Sequence, residues 1–178
     1  MQFNSTILTI PGLGGSSPQH WQSILEKRYN FIRVEQNDWD TPVCADWIEN
    51  INNAVEAHDP ADVILVGHSL ACVTIAYWAQ KFNIKIKAAL LVAPADSEAE
   101  TFPTVTTGFS PVPLFKLPFP SIVVSSINDF YVTAERAKLF ADSWGSEFIN
   151  VGDAGHLNVS SGYGEWDNGL EFLKFLDA

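Results

Sequence analysis

The sequence predicts an α/β fold: an open, mostly parallel sheet of about six strands with helices on both faces. Segments with strand and helix patterns alternate along the whole chain, and turn residues separate them. Several strand segments are continuously apolar, as parallel strands covered on both faces should be. With 178 residues, 47% of them hydrophobic and 17% charged, the chain fits a single domain spanning 1–178.

Short apolar runs bounded by Gly, Pro or polar residues mark the predicted strands. The six segments are 6–10, 31–34, 63–66, 88–93, 121–126 and 147–151.

Apolar residues at helical spacing follow the strands. We expect Pro18 in the first turn of one helix, and Thr41 with Pro42 to cap and open a second. Further helices are predicted over 70–82, 133–144 and 165–176. Helix 70–82 is apolar nearly all round, so it should be the most buried.

Residues 94–120 have a different character, with six prolines and no regular pattern. Phe102, Phe109 and Phe115 look exposed here. Loops of this length are usually functional, so the segment is predicted as a cap that walls the acyl side of a pocket. The alternative is an ordered surface loop that buries its aromatic side chains.

Composition excludes several functions. The net charge of −11, with no Lys/Arg cluster, argues against a nucleic-acid partner. No apolar run could span a bilayer, and residues 1–5 do not resemble a signal peptide. Cys44 and Cys72 suggest a reducing compartment, so we expect a cytoplasmic protein. Asp38 and Asp40 lack a third ligand, so no metal site is predicted.

Ser69 stands between the buried strand 63–66 and the helix 70–82, within Gly-His-Ser-Leu-Ala at 67–71. This is the position of a nucleophile elbow, a strained turn that lifts Oγ towards solvent. Strand and helix cross closely there, which requires small residues two before and two after the serine. Gly67 meets this requirement, and Ala71 stands where glycine is commoner.

Asp129 follows the fifth strand and His156 follows the sixth, so the order along the chain is Ser, Asp, His. A serine hydroxyl needs an imidazole as base, and the imidazole needs a carboxylate to fix its tautomer. We therefore predict Ser69, Asp129 and His156 as a catalytic triad. Helix capping by Asp129 and a turn role for His156 are the alternatives.

An oxyanion hole would complete this site. The Leu70 amide, at a helix start, is one predicted donor, and Leu13 in the glycine loop after the first strand is the other. Gly12 and Gly14 are alternatives to Leu13. Together with His20 and His68 they are also candidates for substrate binding, although His20 could instead pack near Trp21 and His68 could pack or bond within the elbow.

The chain resembles the retinoblastoma-binding-protein-9-like (YdeN-like) serine hydrolases, a small α/β-hydrolase family. The resemblance rests on Pro-Gly-Leu-Gly-Gly-Ser at 11–16, Pro-Gln-His-Trp at 18–21, Gly-His-Ser-Leu-Ala-Cys at 67–72, Leu-Val-Ala-Pro-Ala-Asp at 91–96, Asn-Asp-Phe-Tyr-Val at 128–132, and Gly-His-Leu-Asn at 155–158 leading to Gly-Tyr-Gly at 162–164.

The resemblance implies a three-layer α/β-hydrolase sandwich without the two leading antiparallel strands, and a Ser69–His156–Asp129 triad. It also implies hydrolysis of small acyl esters or related compounds, with no cofactor. No Leu-x-Cys-x-Glu stretch is present, so a pocket-protein partner is not carried over.

Two other functions are alternatives. A dinucleotide-binding domain is suggested by Gly12-x-Gly14 and Glu35, but Ser17 replaces the third glycine and Pro18 delays the helix. A non-catalytic binding protein on a hydrolase scaffold is the second, and the intact Ser, Asp and His argue against it. The bond cleaved and the oligomeric state stay open.

Overall fold

The computed structural model describes residues 2–178, which form a six-stranded parallel sheet in the order β2-β1-β3-β4-β5-β6. The strands are β1 (Thr6–Ile10), β2 (Ile32–Arg33), β3 (Val63–His68), β4 (Ala88–Val92), β5 (Ser121–Ser125) and β6 (Glu147–Asn150). Every pairing between neighbouring strands is parallel. The three-layer α/β architecture predicted from the sequence is therefore confirmed.

Helices cover both faces of the sheet. They are α1 (Trp21–Tyr29), α2 (Cys44–Glu56), α3 (Leu70–Phe82), α4 (Ala134–Trp144) and α5 (Asp167–Asp177), with short 3-10 turns at Pro60–Asp62 and Val159–Ser161. One core cluster packs α2, α3 and α4 on one face, and a second packs α1 and α5 on the other. None of these helices combines the length and the apolar character needed to span a bilayer.

The strand order places a topological switch between β1 and β3. The chain passes from β1 outward to β2 and then returns to the opposite side of β1 as β3. In open α/β sheets a crevice forms beyond the carboxyl ends of the strands at such a point. Gly12 follows β1 and Ser69 follows β3, so both lie at this crevice.

At α1 and α2, the residues predicted to open the helix lie outside it. Pro18 lies in the turn before α1, which starts at Trp21 with His20 as its N-cap. Thr41 does not cap α2; it bonds to the Asp38 carboxylate instead, and α2 starts at Cys44 without a side-chain cap. In both places a local turn uses the residue that would otherwise open the helix.

The segment 94–120 has no strand or helix beyond an isolated bridge between Thr107 and Val43. Phe109 was expected to be exposed, and this is wrong: it is 2% exposed, and its ring centroid lies 5.9 Å from that of Trp47. Its carbonyl accepts a hydrogen bond from the Ser97 hydroxyl. Phe102 and Phe115 are half-buried against the same core cluster.

Candidate active site

Ser69 sits on a sharp turn between β3 and α3. Its backbone has φ 59° and ψ −122°, a conformation that L-residues rarely adopt and that the surrounding structure must hold. The Ser69 amide donates to the carbonyl of Val92 at 2.9 Å, and the Ser69 carbonyl accepts from the amides of Cys72 and Ala95. Within residues 2–178 the hydroxyl itself makes no hydrogen bond, and Ser69 lines a cavity.

Two glycines allow this turn to form. A Cβ on Gly67 would lie 2.7 Å from Cδ1 of Ile75 on α3. A Cβ on Gly12 would lie 2.8 Å from Cβ of Ser69 and 2.9 Å from the carbonyl oxygen of His68. The Ala71 side chain is fully buried, so the crossing accommodates the methyl group that departs from the usual glycine.

His156 and Asp129 are hydrogen bonded. The Nδ1 atom of His156 lies 2.9 and 3.0 Å from the two carboxylate oxygens of Asp129, whose side chain is fully buried. A carboxylate only accepts, so Nδ1 carries a proton, and in the neutral form of the ring Nε2 holds the lone pair. The Tyr131 amide also donates to Asp129, at 2.8 Å, which fixes the carboxylate.

The backbone around His156 is anchored as well. Its amide donates to the Ser161 hydroxyl at 3.1 Å, and its carbonyl lies 2.9 Å from Nε2 of His68. The next carbonyl, that of Leu157, accepts from the Trp21 indole at 2.9 Å. These hydrogen bonds fix the backbone before and after the His156 side chain, and so they limit where the imidazole can lie.

Ser69 and His156 line one cavity of about 490 Å³ at the carboxyl ends of the strands. The structure brings Ser69, His156 and Asp129 to this edge and joins the last two by hydrogen bonds. No hydrogen bond links Ser69 to His156 among the described contacts. Such bonds are often long before substrate binds, so the missing bond does not exclude a nucleophile and base.

Two backbone amides beside Ser69 are free to bind a ligand. Leu70 is the first residue of α3, where an amide has no intrahelical partner. The Leu13 amide has no backbone or side-chain acceptor within the described chain. The Gly14 amide, by contrast, donates to the Trp39 carbonyl at 2.8 Å. Between Leu13 and Gly14, therefore, the Leu13 amide is the one that is free to bind a ligand.

His20 and His68 both line the cavity, with ring centroids 4.8 Å apart. Burial, followed by the neighbouring His156 and Arg33, lowers the pKa of His20 to about 4. Burial, followed by His156 and His20, holds the pKa of His68 well below its usual range. Both rings are therefore neutral near pH 7, and His68 is a donor to the His156 carbonyl.

Several wall residues were not predicted from the sequence. These are Arg33, Trp39, Tyr131 and Asn158, whereas Phe102 and Pro103 line the cavity from the segment 94–120, which the sequence predicts as a pocket wall. Most of them lie at or shortly after the carboxyl end of a strand, which is the only signal that could have pointed to them. Among residues 2–178, no cluster of three or more His, Cys, Asp or Glu side chains is arranged to hold a metal ion.

The serine hydrolase family model matches residues 7–175. A YdeN-like hydrolase from Pectobacterium atrosepticum is similar in structure, with 30% sequence identity, a TM-score of 0.83, and coverage of 97% of this chain and 92% of that one. The ydeN gene product of B. subtilis has a TM-score of 0.83 at 18% identity, covering 97% of this chain and 98% of that one.

A more distant structure, the type II thioesterase BorB from the borrelidin biosynthetic cluster, has a TM-score of 0.66 at 19% identity, covering 98% of this chain and 92% of that one. At this level of identity the likeness concerns the fold alone. No curated protein matched the chain in sequence.

Proposed function

The chain belongs to the serine hydrolase family, and from this premise we propose that it cleaves small acyl esters through an acyl-enzyme formed on Ser69. The observation that carries the proposal is the hydrogen bond between His156 Nδ1 and Asp129. It leaves the Nε2 lone pair in the same cavity as the strained Ser69. A carboxylate, an imidazole and a serine in these roles are the parts that acyl transfer needs.

In the proposed reaction, Ser69 Oγ attacks the carbonyl carbon of the ester while His156 Nε2 takes the hydroxyl proton. The Leu13 and Leu70 amides stabilise the oxyanion, and Asp129 stabilises the imidazolium. The tetrahedral intermediate collapses, the C–O bond to the alcohol breaks, and His156 protonates the leaving oxygen. Water then attacks the acyl-enzyme, giving its proton to His156, and the acid is released as Ser69 regains its proton.

Asp129 is better suited than Asp96, which follows the neighbouring strand β4, to be the carboxylate of the triad. Both oxygens of Asp96 are bonded to the Arg136 guanidinium, at 2.7 and 2.9 Å. Arg136 also pairs with Glu98 at 2.6 Å. This ion-pair network uses the Asp96 carboxylate, whereas the Asp129 carboxylate is bonded to the imidazole.

A non-catalytic binding protein is the second candidate, because Ser69 and His156 are not hydrogen bonded in the structure. Labelling with a fluorophosphonate, read by intact mass, separates the two functions. We expect one adduct on the wild type, none on Ser69→Ala, and at least a thousandfold slower labelling for His156→Ala, since the serine then lacks its base.

Ser143→Ala, on α4 and outside the cavity wall, is the matched control and should label like the wild type. An adduct on folded Ser69→Ala would place the nucleophile elsewhere. No adduct on folded wild type would favour the binding protein.

A further inference from the structure

One wall of the cavity beside Ser69 is rich in hydrogen-bond donors and lacks acids. His20, Arg33 and Asn158 line the cavity, and no Asp or Glu among residues 2–178 does so. This is notable in a chain whose net charge is −11. Asp129 lies behind His156 with a fully buried side chain, and it is not part of the wall.

The tautomer of His20 makes this ring a donor to the cavity. As the N-cap of α1, His20 accepts a hydrogen bond at Nδ1 from the Gln22 amide at 3.3 Å, so its proton is on Nε2. The residue is 5% exposed, and within residues 2–178 the Nε2–H group has no acceptor. It is not enclosed by protein either, so its free side is the cavity that His20 lines.

Asn158 adds a second donor. Its Oδ1 accepts from the Ser161 amide at 3.1 Å and from the hydroxyls of Ser160 and Ser161 at 2.7 and 3.0 Å. The bond from a backbone amide identifies this atom as the oxygen, so Nδ2 is the group without a partner in the described chain. The Trp21 indole donates to the Leu157 carbonyl at 2.9 Å, so a hydrogen bond joins the chain segments that carry His20 and Asn158, and both residues line the cavity.

Arg33 gives this wall its positive charge. Its guanidinium is fixed by the Glu26 carboxylate at 2.8 Å, by the Ser23 hydroxyl and by the Ser16 carbonyl. Glu26 is not among the residues that line the cavity, so the cation of this pair lies nearer the cavity than the anion does. The positive charge of Arg33 is also one of the causes, after burial and His156, that lower the pKa of His20.

We propose that His20, Arg33 and Asn158 form a carboxylate-binding subsite, and that the preferred substrate is an acyl ester that carries a carboxylate away from the scissile bond. The inference rests on the proposed function. A carboxylate accepts from imidazole N–H, amide N–H and guanidinium groups, and these charge-assisted bonds are stronger than neutral ones. An ammonium group at the same place would meet donors and a positive charge, with no carboxylate to pair with it.

The test compares para-nitrophenyl esters whose acyl chains have equal length and end in a carboxylate, a methyl group or an ammonium group. We expect kcat/KM for the carboxylate ester to exceed that for the ammonium ester by about tenfold or more, as bonds to a charged group imply. A second series, acetate esters of alcohols with the same three end groups, shows whether the subsite faces the acyl or the alcohol part.

Asn158→Asp is the sharpest variant, because it keeps the oxygen that binds Ser160 and Ser161 and replaces the free donor with a negative charge. The carboxylate-to-ammonium ratio should fall at least tenfold. His20→Ser keeps a capping hydroxyl for α1 and removes the Nε2–H donor, and it should lower the ratio in the same direction. Asn53→Asp, on the exposed side of α2, adds the same charge outside the cavity and should leave the ratio unchanged.

Equal kcat/KM for the three end groups in both series, or a ratio unaffected by Asn158→Asp, would overturn the subsite. Failure of the proposed function would look different: none of the esters would be cleaved, and folded wild type would not take up the fluorophosphonate. A melting temperature measured for each variant separates loss of selectivity from loss of folding, because a ratio of rates is insensitive to the fraction folded.

Discussion

His156 has nearly every polar group assigned to a partner. Its amide binds Ser161, its carbonyl binds His68 and its Nδ1 binds Asp129, so only Nε2 is free. A side chain fixed in this way needs little reorganisation before it takes a proton, which is what a general base in a preorganised site requires. The bond from His68 is the most direct link between the nucleophile turn and the base loop.

We therefore expect His68 to act as a positioning residue. His68→Phe keeps an aromatic ring but removes the Nε2–H donor, leaving the His156 carbonyl unpaired; a displacement of about 1 Å at the base can lower kcat roughly a hundredfold with little change in KM. His68→Gln can still present an N–H and should retain more of kcat. Steady-state kinetics on an activated ester, with melting temperatures alongside, is the measurement. Equal kcat for the two variants, both folded, would contradict this role.

The residues that the sequence predicts best are those whose positions follow from strand ends. Ser69, Asp129 and His156 each follow a buried apolar run, and parallel strands bring such positions to one edge. The partner of His68 could not be predicted in this way, because the acceptor is the carbonyl of a residue 88 positions away. Contacts of that kind depend on how two loops pack and have no local pattern.

At the scale of elements, β3 and α3 cross closely beside the site. Gly67 is the buried penultimate residue of β3. A Cβ added to it would lie nearest to Cδ1 of Ile75, at 2.7 Å. Cδ1 is the end of a flexible side chain, so the close contact is between Gly67 and the Ile75 side chain and does not involve the backbone of α3. The backbone of Ala71 and Cys72 lies farther away, at 3.4 Å.

This pair predicts a measurable coupling. Gly67→Ala should destabilise the protein by about 1–3 kcal/mol through overpacking, and Ile75→Val by about 0.5–1.5 kcal/mol through loss of a methyl group. In the double variant the deleted Cδ1 makes room for the new Cβ, so the total should be less than the sum. Urea unfolding of the four proteins gives the cycle, and additive free energies would show that the backbone, rather than Ile75, sets the limit.

Strands were predicted more closely than helix starts, for a physical reason. A buried parallel strand is a continuous apolar run, and all six predicted runs match the observed strands to within two residues at each end. The start of a helix depends instead on which residue caps it. Thr41 and Pro18 are good residues for a helix start, but Thr41 bonds to Asp38 and Pro18 lies within a turn that ends at His20.

At the scale of the whole molecule, burying uncharged histidines ties stability to pH. The folded pKa of His20 is about 4, and that of His68 is also low, whereas both rings titrate near 6.5 in the unfolded chain. Between these values the unfolded chain binds protons that the folded protein does not, so stability is lost as the pH falls through this window.

Acidification from pH 7 to about 4 should therefore lower the free energy of unfolding, with His20 contributing about 3 kcal/mol of the loss. His20→Ser removes that contribution, so its stability should fall less steeply than that of the wild type over the same range. Urea unfolding at several pH values tests this. Parallel curves for the two proteins would mean that the folded protein takes up a proton at His20 as readily as the unfolded chain.

The topology, the location of the site and part of the cavity wall could be predicted, but which residues of the segment 94–120 line the cavity could not. Phe109 shows why: nothing in its neighbourhood along the chain distinguishes it from Phe102, yet one is buried against Trp47 and the other lines the cavity. Which of the two side chains is buried depends on how residues 94–120 pack against α2. Non-local packing decides this, and no periodicity records it.

His20 ends on one side at the cavity and on the other at the first turn of α1. A ligand that accepts its Nε2–H group draws electron density through the ring towards Nδ1 and makes that nitrogen a better acceptor for the Gln22 amide. Occupancy and helix integrity are then thermodynamically linked, and the linkage must run in both directions. A change that stabilises the first turn of α1 will therefore also raise the affinity for the ligand.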